Sequence, residues 1–148
     1  MKQIWSGRNL AFLLIAILFL TCSKSKEDKD TTPSFLLTAW IIPVSNFNAV
    51  TYDFTQASAA GKRTVEIRTW QKIGTLGWQS NQQYTALYEA TDKEVRISSP
   101  TGFQEIWRIV QVENTRMLIE INGQQGYVYN CLEPGWPDVI RLSTKACR

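Results

Sequence analysis

Phe103-Gln104-Glu105-Ile106-Trp107-Arg108-Ile109-Val110-Gln111-Val112, then Glu113-Asn114-Thr115, then Arg116-Met117-Leu118-Ile119-Glu120-Ile121: the fold of this chain turns on how these residues pair. Two apolar-rich runs flank a short polar break, and in the second run Met117, Ile119 and Ile121 alternate with Arg116, Leu118 and Glu120. A period of two sends neighbouring side chains to opposite faces of a strand, so the segment reads as an antiparallel hairpin. A two-residue loop at Glu113-Asn114 sets Val110 opposite Met117, Arg108 opposite Ile119 and Ile106 opposite Ile121. A four-residue loop moves the register by two and leaves the same residues on the same face. The expected core face is therefore Ile106, Arg108, Val110, Val112, Met117, Ile119 and Ile121. Arg108 is its only charge. An inward guanidinium must meet an acid, stack on a ring, extend to a mouth or receive an anion. Ion pairing or extension to water is the structural reading of Arg108. Capture of a fatty-acid-like carboxylate is the functional one.

Outward from this hairpin the pattern repeats. Apolar and aromatic runs at 35–44, 47–54, 64–73, 84–90, 94–98, 103–112, 116–121, 127–131 and 138–143 are expected strands. Ala60-Gly61-Lys62, Gly74 to Gln83, Ser99-Pro100-Thr101-Gly102, Asn122-Gly123 and Pro134-Gly135-Trp136-Pro137 punctuate them. Val65 and Ile67 alternate with Glu66 and Arg68, and Val95 with Ile97 makes another half-buried strand. Eight or nine short strands with no sustained helical period predict an all-β unit. A meander that closes on itself removes both sheet edges, giving a small antiparallel barrel of about eight strands. An immunoglobulin-like sandwich explains the same strands.

The chain has 148 residues, one domain's worth, and contains no histidine, which excludes imidazole bases and ligands. Its start is not part of that domain. Lys2 and Arg8 precede an unbroken apolar run, Leu10 to Leu20, which as a helix spans about 16 Å, half a hydrocarbon core. This is the pattern of a secretory signal peptide. An uncleaved anchor over residues 4–22 is the alternative, and it puts Arg8 inside the membrane. Without Lys2 and Arg8 the chain carries 14 basic against 13 acidic groups, a balance that argues against nucleic acid as partner.

Thr21-Cys22, followed at once by Ser23-Lys24-Ser25-Lys26-Glu27-Asp28-Lys29-Asp30, resembles the lipobox of bacterial lipoproteins, with Leu20 and Thr21 before the cysteine. The resemblance implies a signal peptide over 1–21, diacylglycerol and palmitate-type chains on Cys22, and a polar tether over 22–34. Lys26-Glu27-Asp28 is similar to the surface-export signal of lipoproteins in the Bacteroides group. It implies an outer-membrane, lipid-anchored, surface-exposed protein. Two or more acyl chains anchor stably where one does not. Ordinary secretion with cleavage near Ser23 is the competing reading.

In the domain expected over 35–148, most of residues 35–143 resembles the lipocalin-like (calycin) barrels of small lipoproteins in the Bacteroides group. Leu37-Thr38-Ala39-Trp40 stands where those domains open their first strand with Gly-x-Trp; Thr38 replaces the glycine. Tyr84 to Ser98 with Gln104-Glu105-Ile106-Trp107-Arg108-Ile109 is similar to their mid-chain strands, and Arg116-Met117-Leu118-Ile119-Glu120-Ile121 to the strand that follows. The resemblance implies a barrel whose early Trp40 packs at the closed end beneath an arginine, for which Arg141 is the position available.

Five tryptophans after the leader (Trp40, Trp70, Trp78, Trp107, Trp136) and five tyrosines either fill a small β core or line a pocket. For the pocket, Trp40, Tyr84, Tyr88 and Tyr127 are the expected wall residues, with Arg108 as anion anchor. The expected function is non-catalytic binding of a small hydrophobic or amphipathic ligand, with no metal or cofactor. The alternative is an envelope interaction module with a filled core and a protein partner. Catalysis without histidine would need paired acids, a Ser–Lys arrangement or a cysteine; Ser and Lys are scattered without a motif, and Glu89, Asp92 and Glu94 cluster at a turn where acids are ordinarily solvated. With Cys22 acylated, Cys131 and Cys147 remain as an even pair in an oxidising compartment. A bridge between them requires the chain after Leu142 to double back, since their Cα atoms must lie within about 7 Å.

Overall fold

The computed structural model describes residues 33–54 and 63–147. The expected leader, Cys22, the tether up to residue 32 and the Ala60-Gly61-Lys62 turn lie outside them. Eight strands follow one another: β1 Ala39–Ser45, β2 Asn48–Asp53, β3 Thr64–Ile73, β4 Gly77–Ala90, β5 Glu94–Ser98, β6 Gln104–Val112, β7 Arg116–Ile121 and β8 Gln124–Asn130. Each pairs antiparallel with the next, and β1 pairs with β8, so the sheet closes into an up-and-down barrel. The closing seam is short: Trp40 opposite Asn130 and Ile41 opposite Tyr129. A closed ring leaves no sandwich of two sheets to consider.

Local chemistry explains the turns. Asn122 and Gly123 both take positive φ, 53° and 78°, which is the primed two-residue turn that suits the twist of a hairpin and joins Ile121 to Gln124. β3 and β4 run longer than the others, and Gly74 and Gly77, also at positive φ, reverse the chain between them.

Core packing follows the alternation. Val65, Ile67, Val95, Ile97, Met117, Ile119 and Val128 are buried on the inner face. At the end where β1 begins, the 3-10 turn Ser34–Leu36 folds Leu36 into the interior, and the Trp40 indole N–H donates to the Phe35 carbonyl at 3.1 Å. That end is closed. The barrel's middle is filled by four rings: Trp107 meets Tyr52 edge-on at 4.7 Å and Phe54 at 5.7 Å, and Phe54 meets Tyr88 at 5.0 Å.

On β6 the expected face is reversed. Trp107 is wholly buried and Ile109 packs on the core, whereas Ile106 and Val110 are exposed. The cause is a β-bulge. Val112 lies opposite Met117 and Gln111 opposite Leu118, but Ile109 lies opposite Ile119 and Arg108 opposite Glu120. One extra residue at Val110 shifts the pairing by one, and a one-residue slip exchanges inside for outside along the rest of the strand. Arg108 therefore stands on the outer face, paired with Glu120 at 3.1 Å. Met117, Ile119 and Ile121 face inward as expected, because β7 itself is regular.

The expected ninth strand, 138–143, is instead a short helix, α1 (Asp138–Arg141). Pro137 with φ −59° enters it, Asp138 sits in its first turn and Arg141 in its last, and the two pair at 3.4 Å. That charge order suits the peptide dipoles of a helix. Ile140 packs with Ile41, Ala49 and Trp70 outside the barrel wall, and Trp78 and Trp136 lean on the same patch. The Trp70 indole N–H donates to Thr51 Oγ1 at 3.2 Å. Three of the five tryptophans after the leader thus belong to a second, outer layer. Beyond α1 the chain doubles back through a 3-10 turn, Lys145–Cys147. The Lys145 amide donates to Asp53 Oδ2 at 2.8 Å, and Cys147 is disulfide-bonded to Cys131 with Cα atoms 5.9 Å apart.

Candidate functional site

The strand directions put the β1–β2, β3–β4, β5–β6 and β7–β8 connections at the end opposite the closed one. Inner-face side chains come into contact with water there. Tyr84 lies opposite the inward Ile67, is 36% exposed, and meets Phe103 edge-on at 6.5 Å. Gly126 lies opposite the inward Ile119, and a Cβ built on it would meet no atom within 4 Å. Opposed residues share a face, so Gly126 borders open space in the lumen. Val44, Phe47 and Phe103 add exposed apolar side chains at this end.

Between this opening and the ring cluster stands Glu105. It is two residues from Trp107 on β6 and so shares its inward face. Its Oε1 accepts from the Trp107 indole N–H and, at 3.0 Å, from the Tyr52 hydroxyl; Oε2 is 3.2 Å from that hydroxyl. Both partners are neutral donors. Among the described residues no lysine or arginine pairs with it. Glu105 is half-buried, between the dry rings below and the wet opening above. Burial first, and then the Glu105 charge, push the Tyr52 phenol far above its ordinary value. Partial burial and the same charge raise Tyr84 as well. Both phenols stay protonated near neutral pH, with the Tyr52 proton committed to Glu105.

The expected wall residues divide. Trp40 and Tyr88 are inside but buried, in the closed half, and Tyr84 stands at the opening. Tyr127 lies opposite Leu118 on the outer face, where Arg116 stacks over it at 4.8 Å and Tyr129 is its ring neighbour at 6.3 Å. Arg108 is outside as well, so neither it nor Tyr127 borders the lumen. Arg141 pairs with Asp138 on α1, and the cation–π contacts among the described residues are Arg68 over Trp70 and Arg116 over Tyr127. The carboxylate at the opening was missed in the sequence because both faces of 103–112 are apolar. Only the structure, which buries the Trp107 indole two residues away, assigns the carboxylate its side.

A second hollow, of about 320 Å³, lies at the closed end and is lined by Arg63, Glu89, Ala90, Thr91, Glu94 and Arg96. Two of the three expected acids, Glu89 and Glu94, border it together with two guanidinium groups. Glu94 is ion-paired with Arg96, and Asp92 is exposed. No group of three metal-ligating side chains occurs among the described residues.

These features define the class: a closed eight-stranded antiparallel barrel of lipocalin-like form, filled in one half and open at the other. No family model, curated protein or solved structure matches the chain.

Proposed function

We propose that this chain is a cell-envelope lipoprotein, acylated at Cys22 and anchored at the outer membrane, whose barrel binds a small apolar or amphipathic ligand without catalysis. The observation that carries the binding reading is the open end. Tyr84 and Phe103 present ring surface to water, and Gly126 leaves space where any other residue would place atoms. Eight-stranded barrels of this size hold one small ligand when their interior is not filled by side chains. The depth available is limited by the Tyr52–Trp107–Phe54 rings, so the site is a shallow cup that holds a short molecule or the end of a longer one.

The competing reading is an envelope interaction module. It draws on the filled lower half of the barrel and on the exposed outer Ile106 and Val110 of β6. Organic extraction and mass spectrometry of the purified protein, with tryptophan-fluorescence titration against small amphiphiles, separate the two. A co-purifying ligand, or saturable binding abolished by Gly126→Trp, supports the cup; the absence of any binding favours the module. Anchoring is tested separately: Cys22→Ala releases the protein from membranes if acylation holds it there.

A further inference from the structure

The charge at the opening is the opposite of the one the regular strand pattern led to. The bulge at Val110 that turns Arg108 outward also turns Glu105 inward. We propose that the cup recognises amines: ligands with a short apolar body and a protonated amino head, which the Glu105 carboxylate accepts. The proposal rests on the ligand-binding reading above and names its chemistry.

Three observations converge on it. First, Glu105 is held by donors that are both neutral, Tyr52 and Trp107, so among the described residues its negative charge is oriented without being cancelled. A fixed, partly desolvated carboxylate with no cationic partner attracts a cation more strongly than a solvated one. Second, aromatic rings surround it. Tyr52 and Trp107 lie beneath, and Tyr84 with Phe103 stand at the opening. Ring faces attract ammonium groups and also cover the apolar part of the ligand. Third, Tyr84 meets the ring of Phe103 at 6.5 Å, and Phe103 stands two residues before Glu105, so Tyr84 and the carboxylate border the same part of the opening. A fatty-acid carboxylate would face like charge at the same place.

The test compares three probes of equal length: hexylammonium, hexan-1-ol and hexanoate. Each is titrated calorimetrically and by tryptophan fluorescence into the full chain in nonionic detergent, against a detergent blank. Hexylammonium is expected to bind about tenfold or more tightly than hexanol, and hexanoate more weakly than both. Glu105→Gln keeps an oxygen for Tyr52 and Trp107 but not the charge. It is expected to bring hexylammonium down to the hexanol level while the melting temperature stays close to wild type. Gly126→Trp, which fills the lumen away from the charge, is expected to weaken all three probes together; it serves even if Glu105→Gln does not fold. Equal binding of the three probes, a preference for hexanoate, or an ammonium preference that survives Glu105→Gln overturns the amine reading and leaves the cup standing. If none of the probes binds, the ligand-binding reading falls and the amine reading falls with it.

Discussion

Truncating two neighbours on β6 gives the sharpest test of the register. Trp107 is 0% exposed and Ile106 is 45% exposed, although they adjoin in sequence. Trp107→Ala empties the centre of the ring cluster and removes a donor from Glu105. Losses of this kind cost about 3–5 kcal/mol. Ile106→Ala deletes three carbons; at about 0.8 kcal/mol for each fully buried carbon, halved for a side chain nearly half wet already, the cost is about 1 kcal/mol. With a urea slope of about 1.5 kcal/mol/M for a domain of this size, the midpoint should fall by about 2–3 M in the first variant and about 0.7 M in the second. Equilibrium unfolding followed by circular dichroism, with the disulfide intact, measures both. A midpoint for Ile106→Ala as low as that for Trp107→Ala would refute the bulge, because an unbulged strand puts Ile106 in the core.

Arg108→Met should change stability by no more than about 0.5 kcal/mol, since exposed ion pairs such as Arg108–Glu120 contribute little; thermal melting in low and high salt checks this. Replacing Cys131 and Cys147 by alanine opens a link that spans 16 residues, and should cost about 3 kcal/mol, read as a lowered melting temperature that reductant does not lower further. Stability should also fall above pH of about 10, where an unfolded chain releases the Tyr52 proton and the folded one retains it. Below that pH both states hold the proton and the contribution is complete. Tyr52→Phe should flatten this alkaline slope in urea midpoints measured from pH 8 to 11. Gly123→Ala, at φ 78°, should cost about 1 kcal/mol by straining the β7–β8 turn, measured in the same urea assay.

The strands were legible where one face is apolar and the other polar. β3, β5 and β7 have the bounds expected from alternation, because Val65, Ile67, Val95, Ile97, Met117 and Ile119 leave no choice of inward side. β6 offers apolar residues to both faces, so alternation cannot rank Ile106 and Val110 against Trp107 and Ile109. The decision fell to a bulge, which is a tertiary accommodation with no residue signature of its own here. The helix Asp138–Arg141 was hidden by its length: four residues cannot display a helical period, and Val139 with Ile140 imitates a strand. Its start, Pro137 before Asp138, was the readable sign. The site suffered most from the slip, since the same shift that took Arg108 out of the lumen brought Glu105 in. Tyr84 was readable because it shares a face with Tyr88, two pleats along β4.

The barrel's shortest joint is also the one its tail crosses. Cys131 leaves the end of β8, Cys147 is bonded to it, and two residues earlier Lys145 is tied to Asp53 at the end of β2, so the tail works as a buckle over β1. Oxidising surroundings fasten the covalent half of this buckle; a reductant would undo that half alone and leave the two β1–β8 residue pairs and the Lys145–Asp53 bond to carry the joint.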